Sequence, residues 1–97
     1  MRLRKDIEMA ELAHGAVQQV VAAFLRKHDP MVRPAPHDEL FASGMVNSLL
    51  AMELVGFLER RYGIKFTVDD LDLRNFASLS RIAETVLAKQ AASAGAA

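Results

Sequence analysis

NSLLAMELVGFLERRYG, residues 47–63, is the stretch on which the fold turns. It opens on Asn47, a residue favoured just outside a helix start because its side-chain oxygen accepts from the amide of Leu49 or Leu50. It closes on Gly63, which turns past a helix end more easily than any residue with a side chain. Between them, Ser48 to Tyr62 repeats its apolar residues at helical spacing, with Leu49, Met52, Val55 and Leu58 expected to face inward and Leu54 at the edge of that stripe.

Upstream, residues 29–47 read DPMVRPAPHDELFASGMVN, and Pro30, Pro34, Pro36 and Gly44 forbid a continuous helix. This is a long first loop, with Leu40, Phe41 and Val46 expected to pin it onto the core; loops of this length inside a small domain are functional or disordered. Before it, Asp6 to His28 predicts another helix, carrying Ala10, Ala13, Val17, Val20, Val21 and Phe24 on one stripe. Glu8 and Glu11 near its start and Arg26, Lys27 and His28 at its end follow the order that the helix dipole favours. Gly15 costs such a helix about 1 kcal/mol relative to alanine, which makes Ala16 an alternative start.

Downstream, Ile64, Phe66 and Val68 alternate as a strand would, but nothing is available to pair with them, so the segment reads as an extended connector. Asp69, Asp70 and Asp72 stand where a short helical turn begins, and Leu71, Leu73 and Phe76 are expected to cover the core there. Ser78 is the expected cap of a last helix with Leu79, Ile82, Ala83, Val86 and Leu87 on one face. From Gln90 the run QAASAGAA lacks apolar bulk and is expected to fray. The chain is thus read as one all-α domain over residues 1–97, three main helices plus a short one, ordered over about residues 6–89 with a flexible tail at 90–97.

Composition sets limits on function. Ninety-seven residues enclose one modest core, and 52% hydrophobic with 25% charged residues is the balance of a chain that folds. Twelve basic and twelve acidic side chains leave a formal net charge of zero, so no global field draws the molecule to nucleic acid or an anionic membrane. With no cysteine, disulfides, thiolate metal sites and thiol nucleophiles are all excluded. The opening MRLRKDIE is not followed by the apolar run of a secretion signal, and no stretch approaches membrane-spanning length; a cytoplasmic protein is expected.

The candidate site is Ser48. Its hydroxyl opens the second helix, where first-turn amides and the helix dipole favour an attached anion. Asn47 already fills the capping position, so the serine is left for another purpose. No histidine or other base adjoins it in sequence, which points to a substrate protein and not a hydrolase. His14, His28 and His37 have no zinc-like spacing, and the aspartate cluster lacks the glycine and distal glutamate of a calcium loop, so no metal is expected.

Residues 40–86, LFASGMVNSLLAMELVGFLERRYGIKFTVDDLDLRNFASLSRIAETV, resemble the acyl carrier proteins, in which an Asp-Ser-Leu trio opens the second helix. The resemblance implies a small four-helix carrier bundle whose Ser48 receives 4'-phosphopantetheine from coenzyme A through a separate phosphopantetheinyl transferase. The arm then carries an acyl group as a thioester. It implies a partner-docking surface at Asn47, Leu49, Met52, Glu53 and Glu59, with Met45 beside it. It also implies a non-catalytic monomer served by acyl-loading and acyl-modifying enzymes and by acyltransferase or synthase domains, with no nucleic-acid or membrane partner. Asn47 departs from the pattern: the amide keeps the capping oxygen and loses the charge through which the usual aspartate meets the transferase. Leu50 and Ala51 replace residues that are often acidic or polar, and Arg60 and Arg61 follow Glu59, so partner recognition is expected to be more apolar than in strongly acidic carriers. VNSL-x-AMELV together with DLDLRNF is most similar to stand-alone carriers of glycerate-derived or hydroxy- and methoxymalonyl units in polyketide assembly.

Three other readings stay open. An aminoacyl or peptidyl carrier of a nonribosomal pathway uses the same serine. An unmodified interaction module keeps the fold and docks by the same helix. A small helix-turn-helix DNA-binding domain is built from similar short helices, but Leu, Ala, Met, Val and Glu on the second helix are poor readers of bases and phosphates.

Overall fold

The computed structural model describes residues 2–95, with three α-helices and one short 3-10 helix in the order the sequence implies. α1 spans Arg2–His28, α2 Ser48–Tyr62 and α3 Leu79–Gly95, and the 3-10 helix spans Leu73–Phe76. Among the described residues there is no strand, and no helix is long and apolar enough to cross a membrane. The all-α architecture is the one expected.

The core is a single cluster to which every segment contributes. α1 supplies Val17, Val21 and Leu25, which fall four residues apart and therefore on one face. Ala10 and Ala13, assigned to that stripe from sequence, are exposed. α3 supplies Leu79, Ile82, Ala83 and Val86, as expected, and Ile64 and Phe76 close the cluster from the connector. Leu71 and Leu73 do not join Phe76 inside; both are exposed. Of the four residues of the 3-10 helix only Phe76 is buried.

α2 corrects a second expectation. Leu54, Val55 and Leu58 are buried and Leu50 and Ala51 pack partly against the core, whereas Leu49 is 73% and Met52 59% exposed. The reason is rotational: repeated steps of three residues drift about 60° each around a helix, so Leu49 and Leu58 stand on opposite sides. The run 50/51–54/55–58 advances by four and holds one face. Gly63 ends α2 at φ +63°, with its amide donating to the Glu59 carbonyl. Gly63→Ala is expected to cost about 1 kcal/mol in denaturant unfolding, from left-handed backbone strain alone, because open space surrounds the position.

The long loop is held by its backbone. The Leu40 amide donates to the Ala77 carbonyl at 2.8 Å, the Ser80 amide to Pro36 at 2.9 Å, and the Val46 amide to Leu40 at 2.9 Å. Leu40 and Val46 are buried and Phe41 half-buried, as the pinning role required.

Both long helices exceed their expected limits. α1 runs unbroken through Gly15, since one glycine is outweighed by the helix formers around it. α3 continues past Lys89 to Gly95 because alanine-rich sequence favours helix even where it buries nothing; residues 96–97 of the expected tail lie outside the described residues. Lys89 also anchors this end, its Nζ donating to Asp70 Oδ2 at 2.6 Å. That bond, with the Thr67 amide and hydroxyl on the same oxygen, holds the Asp70 carboxyl below the usual carboxylate range. A depressed acid stabilises the fold above its unfolded value, about 3.9, and that stabilisation is lost as pH falls through the folded value. The stability gap between wild type and Lys89→Met should therefore be open at neutral pH and close below about pH 4; a gap of constant size in urea titrations would exclude a charge-linked pair.

Candidate functional site

Ser48 stands exposed at the first position of α2. The loop delivers it there because Val46 is buried two residues earlier and Asn47 takes an extended backbone, φ −109° and ψ 177°, that breaks from the helix. Asn47 Oδ1 accepts from the Leu50 amide at 2.9 Å, while its carbonyl accepts from Ala51. The cap is therefore complete without Ser48. Among the described residues no side-chain hydrogen bond engages the Ser48 hydroxyl; the bonds around it belong to Ser43 and Asn47.

Beside the serine lies a cleft of about 140 Å³ between α2 and the 3-10 helix. Ser48 forms its mouth, Ala51, Met52 and Val55 one wall, and Leu71, Leu73 and Phe76 the other, with Phe41 contributed by the loop. Apart from Ser48 every lining side chain is apolar. Phe66 meets Phe76 edge-on at 5.6 Å behind the second wall and fixes its depth. The 3-10 helix is capped by Asp72, which accepts from the Arg74 amide at 2.9 Å and pairs with the Arg74 guanidinium. These contacts pull the Asp72 carboxyl down to about 2, so the lip keeps its charged cap throughout the physiological range.

The other residues singled out from sequence are distributed as follows. Leu49 and Met52 are exposed beside the serine, and Met52 reaches the cleft. Met45 is half-buried against the core and does not line the cleft. Glu53 is exposed and faces α1, where His28 Nε2 lies 3.7 Å away. Glu59 is three turns from Ser48, and its carboxylate accepts from the Phe66 amide at 2.9 Å, an attachment that steadies the connector. Leu71 and Leu73 were expected to cover the core and instead shape the cleft, while Phe41 packs against the core and lines the cleft as well.

Among the described residues, no three metal-ligating side chains gather as a metal centre requires. His14 bonds Gln18 at 2.8 Å and His28 packs on Phe24 at 4.8 Å.

The site suits a phosphodiester with a long substituent. The amides of Ser48 and Leu49 belong to the helix's unpaired first turn and lie beside the hydroxyl, where they can receive phosphate oxygens. The apolar cleft opens next to the same atom. A family model described as the phosphopantetheine attachment site matches residues 15–86, about three quarters of the chain. No curated protein and no solved structure matches it.

Proposed function

Because the chain belongs to the phosphopantetheine attachment-site family, and is thus a carrier of covalently held 4'-phosphopantetheine, we propose that Ser48 is the residue that holds the arm and that the cargo is an acyl group. The observation that carries this reading is the exposed Ser48 hydroxyl, free of capping duty, at the helix start and at the mouth of an apolar cleft. When bound, the arm supplies a terminal thiol that holds cargo as a thioester and a tether that raises the cargo's local concentration at each partner enzyme.

The chain's own residues position this chemistry. In loading, the Ser48 oxygen forms a bond to the pantetheine-side phosphorus of coenzyme A, the phosphoanhydride bond breaks, and the nucleotide half departs. The hydroxyl proton goes to a base of the transferase, since this chain offers none there. Leu49 and Met52, both exposed on α2, give the partner an apolar surface, with Asn47 and Glu53 at its polar edge. Met45 supports that surface by packing against the core, and Glu59, on α2 itself, by holding the connector through the Phe66 amide.

We place the carrier in the cytoplasm, as a monomer in secondary-metabolite biosynthesis, with glycerate-derived or hydroxy- and methoxymalonyl units as cargo; the support is the VNSL-x-AMELV and DLDLRNF resemblance. The full chain incubated with coenzyme A and a phosphopantetheinyl transferase should gain one arm by intact mass. An unchanged mass with several transferases would count against the reading. The mass of the loaded form from the producing cell then separates acyl from aminoacyl cargo.

A further inference from the structure

α2 has a second concave flank that the reading above leaves unused. A groove of about 330 Å³ runs between α1 and α2, its floor formed by Phe24 and Phe57, stacked at 4.8 Å and 29°, with Val20 and Ala23 beside them. Lys27 and Arg61 stand on its rim, both exposed, and among the described residues neither makes an ion pair. No carboxylate lines it; His28, which does, has the Glu53 carboxylate 3.7 Å from its Nε2. In a chain of zero net charge, two uncompensated cations over stacked aromatic rings are a local concentration of positive potential on an apolar surface.

The position of this groove matters as much as its chemistry. At about 100° per residue, Phe57 and Arg61 point some 150° away from the face of α2 that carries Ser48, Ala51, Met52 and Val55. Along the axis they lie roughly 14 to 20 Å from Ser48. The cleft and the groove therefore flank the buried Leu54–Val55–Leu58 stripe on opposite sides.

We propose that the α1–α2 groove is a second docking surface, for an acidic amphipathic helix of a partner protein, which holds the carrier while its Ser48 end stays free. Charge complementarity selects the occupant: acidic side chains of the helix meet Lys27 and Arg61, and its apolar residues seat on Phe24 and Phe57. Two roughly antiparallel helices, shown by the pairing of His28 with Glu53 and of Phe24 with Phe57, leave a furrow whose long direction suits a third helix. Open cationic rims favour fast, salt-sensitive association, as a carrier that must be released requires.

The test is titration of the isotopically labelled full chain with a synthetic helical peptide of glutamate and leucine. Amide shifts should concentrate at Val20, Ala23, Phe24, Lys27, Phe57 and Arg61, and a lysine–leucine peptide of the same pattern should bind at least tenfold more weakly. The double variant Lys27→Glu/Arg61→Glu should lose at least tenfold in affinity for the acidic peptide and still gain one arm from coenzyme A. Equal binding by the double variant, equal binding of the basic peptide, or shifts centred on the Ser48 cleft would overturn the proposal. Decanoate or phosphatidylglycerol vesicles displacing the peptide from the groove would overturn it in favour of an anionic lipid. Loss of arm addition in the double variant would deny the groove its independence from Ser48, whereas arm addition without groove binding sinks this proposal alone.

Discussion

Ser48→Ala is expected to abolish arm addition and to leave the fold in place. Incubated with coenzyme A and a transferase that loads the wild type, the variant is expected to keep its unmodified mass. The expectation rests on separating two duties that a serine at a helix start commonly combines. Here Asn47 Oδ1 holds the Leu50 amide, and the Ser48 hydroxyl carries no capping bond. Its removal should therefore change stability by no more than about 0.5 kcal/mol, the scale of exposed substitutions outside special features. Ser43→Ala and Ser78→Ala serve as controls that keep the arm. Ser78 also loses a bond, since its Oγ accepts from the Arg81 amide at 3.1 Å, so that variant should lose about 1 kcal/mol while loading normally. An arm retained on Ser48→Ala would place the attachment elsewhere.

The second large effect is on stability and comes from the loop. Leu40→Ala is expected to cost about 2–5 kcal/mol in urea unfolding, as much as a core position within a helix. Leu40 is fully buried, touches the single core cluster, and both donates to Ala77 and accepts from Val46 through its backbone. Against a total of about 5–15 kcal/mol for a domain, such a loss is severe. Leu49→Ala, which removes an exposed side chain of the same size, should stay within about 0.5 kcal/mol. Similar losses for the two leucines would mean that the loop is not part of the core.

Much of this was legible in the sequence because local chemistry governs it. Asn47 and Gly63 mark the ends of α2, Asp72 and Ser78 start the two following helices, and the prolines keep residues 29–47 out of helix. The place of Ser48 was legible for the same reason, as an exposed hydroxyl next to a cap already filled. What escaped was the direction in which α2 turns. Four leucine, methionine and valine residues at steps of three look like a stripe but wind around the helix, and only the burial of Leu54 and Leu58 against the other helices shows which side faces in. The cleft was illegible because its walls come from three separate segments, and whether Leu71 and Leu73 sink or stand proud depends on how Phe76 and Phe66 fill the space behind them. The length of α3 was misjudged by asking what alanines bury instead of what backbone they prefer.

The stitching of Leu40 to Ala77 and of Pro36 to Ser80 gives the segment that leads into Ser48 and the segment that forms the far lip of its cleft a common anchorage. A bulky cargo that pushed the 3-10 helix outward would tug on Ala77, directly after it, and so on the serine's own approach. The side chains of Leu71, Leu73 and Met52 are exposed and free to turn, whereas the backbone on both sides of the cleft is tied by these bonds.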